Sequence, residues 1–158
     1  MHLYIAILFW LHELGISIWV GSSLLMPLLI LPTLPAIDPA GRPKFMEALS
    51  KRLAALNMIA IAVVVLTGIL QTRAIFGLQY LLGINLLVIK IIVAVLMIAN
   101  GVYVGLVLAR KSVALAPTPG QPPSAEFLKT QRLLVTHSWI QAGLSVIVLF
   151  LVGLLTAP

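Results

Sequence analysis

The chain contains no cysteine, which excludes thiolate metal sites, disulfide frameworks and thiol redox chemistry. A soft-metal site would have to draw on His and Met instead. Charge is also scarce: 9% of the 158 residues are Asp, Glu, Lys or Arg, against roughly a quarter in ordinary soluble domains. No nucleophile and base triad, phosphate loop or nucleotide motif is present, so conventional soluble enzyme chemistry has no support. The net charge of +6 is not gathered into a basic stripe with interleaved aromatics, which argues against nucleic acid.

Hydrophobic residues make up 61% of the chain and recur in runs of about twenty, each long enough to cross ~30 Å of hydrocarbon. The pattern predicts an all-α, polytopic membrane protein: one domain over 1–158 with spans at about 4–31, 53–70, 81–108 and 133–155. The first run lacks a basic flank and a small-residue cleavage site, so it reads as a retained span. Pro32, Pro35 and Pro39 close span one, and 42–52 reads as a short interfacial helix feeding span two. Pro117, Pro119, Pro122 and Pro123 make a stiff linker before span four, whose start Ser124 can cap.

Lys and Arg near span ends are retained in the cytoplasm. The first loop holds Arg42, Lys44, Lys51 and Arg52, and the third holds Arg110, Lys111, Lys129 and Arg132, whereas the second holds Arg73 alone. The expected topology is a four-helix bundle in the bacterial inner membrane with both termini outside.

Ionisable residues inside such spans are costly, so they face the bundle interior and mark candidate sites. Counting back from the span ends at ~1.5 Å per residue puts His12 about 28 Å and Lys90 about 27 Å from the cytoplasmic side. Glu13 shares their level, and Glu13 and Lys90 are expected to neutralise one another. His12, Gly15, Trp19 and Ser22 fall on one helical face, with Gly15 expected to leave room beside the imidazole. Gly101 and Gly105 form a GxxxG expected to serve helix packing. A second level, ~6 to 8 Å from the cytoplasmic ends, holds Met26, Met58 and His137, donors that suit Cu(I) or simply fill a core.

At His12-x-x-Gly15-x-x-x-Trp19-x-Gly21 the chain resembles the copper-resistance protein D (CopD-like) family of membrane proteins. The likeness continues through Arg52-Leu53 and Leu66-Thr67-Gly68-Ile69-Leu70, and through Lys90 followed ten residues later by Asn100. It implies a four-helix core associated with copper uptake or tolerance, within a wider circle of bundles that bind haem b, including HemJ-type protoporphyrinogen oxidases. By position it implies a site at His12 supported by Trp19 and Lys90. Glu13 departs from the apolar residue that the family pattern leads one to expect there.

Three functions follow as expectations. One is copper binding or transport at an outer-side site. Another is a b-type haem protein that passes electrons or oxidises a quinol or porphyrinogen. The third is an accessory structural subunit. His12 and His137 differ by about 20 Å in depth, so they are not expected to share one haem within a chain. The expected partners are the lipid bilayer, a second copy of the chain, and a periplasmic metal or electron donor.

Overall fold

The computed structural model describes residues 2–38, 40–118 and 121–156, so Pro39 and Pro119 lie outside the described residues. Those residues are helical with no strand among them. Four helices are long and apolar enough to cross a membrane, at Leu3–Ala36, Arg42–Phe76, Leu86–Ala114 and Ala125–Thr156. The molecule thus has the make-up of a multi-pass membrane protein.

We name the regular helices α1 (His2–Leu25), α2 (Arg42–Gln71), α3 (Leu86–Tyr103) and α4 (Ala125–Thr156). The first three run on into π turns at Met26–Ile30, Thr72–Phe76 and Val104–Leu108. The turn after α1 follows from Pro27, which has no N–H to give the preceding carbonyl. The ladder resumes one residue later, with Leu31 N–H donating to Met26 O. The expected interfacial segment and span two are one uninterrupted helix, with Pro43 in its first turn. After α2 the chain reverses at Gly77, whose φ of +77° lies where a side chain is strained.

Span three begins later than the hydrophobic run suggests. Residues 78–82 form a short 3-10 helix, and α3 starts at Leu86, where the Asn85 side chain accepts from Val88 N–H at 3.1 Å. Ser124 caps α4 as expected, accepting from Phe127 N–H at 3.1 Å.

The helices assemble as two antiparallel hairpins. α1 packs along α2, α3 packs along α4, and α1 also meets α4 to join the pairs. Ile16, Trp19 and Val20 from α1, Ala60 from α2, Met97 from α3 and Val148 from α4 form the shared core. Met97 is 1% exposed, its unbranched thioether filling the point where the four helices converge. The GxxxG of α3 plays no part in this packing: Gly101 and Gly105 are exposed, and an added Cβ would meet nothing within 4 Å at either position.

Candidate functional site

Three side-chain hydrogen bonds cross the α1–α2 interface, and they fall in strict antiparallel register. Gln71 Nε2 donates to Leu8 O at 2.9 Å, His12 Nδ1 meets Thr67 Oγ1 at 2.8 Å, and Ser22 Oγ approaches Asn57 Oδ1 at 2.7 Å. Between them a Cβ on Gly15 would stand 2.8 Å from Val64 Cγ2 and 3.2 Å from Ala60 O. Positions 8, 12, 15 and 22 therefore face 71, 67, 64 and 57. Steps of four, three and seven are the helical repeat, so one face of α1 meets one face of α2 throughout.

This register corrects the role expected of Gly15. Its lack of a side chain brings two backbones together, and the room for the imidazole itself comes from α2. A Cβ on Gly68 would lie 3.3 Å from His12 Cε1 and 3.9 Å from Nδ1, so the ring packs against that glycine. Thr67, which bonds the imidazole, and Gly68, against which it packs, are the site residues that the reading by helical face missed.

The hydrogen bonds also set the protonation of the ring. Thr67 Oγ1 lies 2.6 Å from Val63 O, and two oxygens that close require the hydroxyl proton between them. Thr67 then has only lone pairs to offer His12, so Nδ1 carries the imidazole proton and donates it. Nε2 is then the lone-pair nitrogen, and the Val64 carbonyl also lies within reach of the ring. His12 as a whole is buried, 6% exposed. An imidazole held through Nδ1 with Nε2 as its remaining nitrogen is the usual arrangement of a metal ligand.

Lys90 stands at the same end of the bundle. It lies on the inward face of α3 with Val93, Met97 and Asn100, and it is close enough to His12 and Glu13 to act on both electrostatically. The expected ion pair with Glu13 is not formed: Glu13 is exposed, and the ion pairs among the described residues are Lys51 with Glu47 and Lys111 with Glu126. Trp19 is placed in the central core, two turns along α1 from His12. Its carbonyl accepts from the hydroxyls of Ser22 and Ser23 at 2.9 and 2.8 Å.

Met26, Met58 and His137 are not presented to one another as a set. Met58 is 69% exposed and belongs to an outward stripe with Ala62, Val65 and Ile69. Met26 is half-buried in the π turn of span one. His137 lies in the α3–α4 interface, where Nδ1 meets Asn100 Oδ1 at 2.6 Å. Asn100 Nδ2 donates to His137 O at 3.1 Å and to Gln141 Oε1 at 2.8 Å, which fixes the orientation of the amide. The Tyr103 ring stands against the imidazole of His137, with centroids 5.0 Å apart. Among the described residues no three His, Cys, Asp or Glu side chains gather as a metal-holding group.

No protein-family profile, curated protein or solved structure matches this chain, so the functional reading rests on its own residues.

Proposed function

We propose that this chain is an inner-membrane protein that holds a redox-active metal group at His12, and that the group is haem b. The observation that carries the proposal is the buried His12 imidazole, fixed through Nδ1 by Thr67 and packed against Gly68, which leaves Nε2 as its ligating nitrogen. The donor set favours haem over ionic copper. A bound ion asks the protein for several donors, and among the described residues no three His, Cys, Asp or Glu side chains gather as a group. A porphyrin brings four nitrogens of its own and needs one or two axial ligands from the chain. His12 would be that ligand, and Lys90 would supply a cation for a propionate.

When bound, haem supplies a one-electron redox couple whose potential depends on its axial ligands and surroundings. The chain's own part is to hold the buried ring of His12 in one tautomer, with Nε2 unprotonated. Copper tolerance is the setting that the CopD-like resemblance implies.

An absorption spectrum of the purified protein tests this reading. The expected result is a Soret band that is lost in His12→Ala and kept in His137→Ala, with both variants folded in the membrane. Copper without a Soret band would replace haem by the ion, and full occupancy in His12→Ala would remove the site from His12.

The same proposal places both termini in the periplasm, because eight basic residues border the first and third loops and one borders the second. Reporter fusions at the C-terminus should be active only outside the cytoplasm. Cytoplasmic activity would reject the topology.

A further inference from the structure

At the end of the bundle remote from His12, α4 and the helical continuation of α3 to Ala114 border a groove of about 530 Å³. Tyr103, Val107, Leu108 and Leu133 line it together with Lys111, Glu126 and Lys129. The apolar residues precede the charged ones on α3 and follow them on α4, so both helices change from apolar to basic at the same level. Lys111 Nζ meets Glu126 Oε1 at 2.9 Å, which leaves Lys129 without a bonded partner in the groove among the described residues. Arg110 and Arg132 are exposed nearby in sequence, and the four basic residues outnumber the single acid.

We propose that this groove is a binding site for one anionic phospholipid, with an acyl chain against Val107, Leu108 and Leu133 and the phosphate at Lys129. Two features separate it from the general attraction of basic loops to anionic lipid. The charges stand over an apolar slot between two helices, the arrangement that holds a headgroup and tail together. The other basic segment, at the start of α2, has its charges partly engaged. There Arg42 donates to Ile37 O at 2.9 Å and to Pro35 O at 3.0 Å, and Lys51 pairs with Glu47 at 2.7 Å. A free phosphate would use the lysine but not the apolar wall.

The test is lipid retention by the intact purified chain, read by native mass spectrometry during delipidation with phosphatidylglycerol or phosphatidylcholine supplied. One phosphatidylglycerol is expected to persist per chain, and phosphatidylcholine is expected to leave. Lys129→Gln should lower apparent affinity about fivefold, the effect of one basic residue near a membrane surface. Arg52→Gln, an exposed basic residue on α2, should leave it unchanged. Val107→Trp fills the slot without touching a charge and should abolish retention. Equal retention of both lipids, retention undiminished in Val107→Trp, or displacement by millimolar inorganic phosphate would each overturn the proposal. So would equal losses in Lys129→Gln and Arg52→Gln, which would reduce the effect to diffuse surface charge.

Discussion

His12 and His137 are held in the same tautomer by different means, and the difference separates a ligand from a fastening. Both donate from Nδ1, His12 to a threonine hydroxyl whose proton is committed to Val63 O, and His137 to an asparagine amide committed to Gln141 and to a backbone carbonyl. The surroundings then diverge. Beside His12 stands Gly68, with no side chain, whereas beside His137 stands the ring of Tyr103. The His12 ring packs against a glycine with Nε2 as its remaining nitrogen, as a metal ligand would be held, while the His137 ring, packed against an aromatic side chain, contributes mainly to helix association.

The comparison can be broken most sharply at Thr67. Thr67→Val keeps the shape of the side chain and removes the acceptor of His12 Nδ1–H. If His12 ligates haem, affinity should fall about 10- to 100-fold, the usual effect of losing an outer-shell partner. Haem titration of the purified variant measures it, and unchanged affinity would mean that the hydroxyl serves packing alone. The next effect in size belongs to Gly15. A valine there would force its Cβ into Val64 and the Ala60 carbonyl, and overpacking of this kind costs about 1–3 kcal/mol. Denaturation in detergent reads that loss, and a variant as stable as the parent would show that α1 and α2 tolerate a wider spacing. The smallest change is expected in the second hairpin. Asn100→Leu removes the acceptor of His137 and two amide bonds, for about 0.6–1.7 kcal/mol, the range of interhelical polar contacts in membranes. The haem spectrum should stay as it was. A lost Soret band in Asn100→Leu would erase the distinction between the two histidines.

Much of the architecture was legible because it depends on local features. Apolar length marks the four helices, and Ser124 marks the start of α4 without knowledge of any other segment. The start of α3 was displaced because Leu81, Leu82 and Ile84 prolong the apolar run while Gly83 and Asn85 set the actual boundary. At the site, helical periodicity collected His12, Gly15, Trp19 and Ser22 on one face, but it could not say which residues of α2 they would meet. That depends on interhelical register, and so the room for the imidazole at Gly68 was credited to Gly15, and Thr67 was quoted only as part of a motif. A usable signal did exist: His12 and Ser22 are ten residues apart, as are Asn57 and Thr67 on the antiparallel neighbour. Glu13 and Lys90 share a level and act on one another electrostatically, but Glu13 is exposed and no direct ion pair forms, since a shared depth says nothing about rotation around the helix axis.

The division of labour around α1 bears on how the protein is made. Two of its polar groups, His12 and Ser22, pair with α2, while Ile16, Trp19 and Val20 belong to the core that α4 joins through Val148. For a chain entering a bilayer as it is synthesised, α2 follows immediately, but α4 is complete only after a further 120 residues beyond Ala36. At about 5–20 residues per second, that interval is roughly 6–24 s. During it the Ile16, Trp19 and Val20 side of α1 still awaiting a partner is one that lipid tolerates, and the His12 and Ser22 side has already been covered by the next helix to emerge.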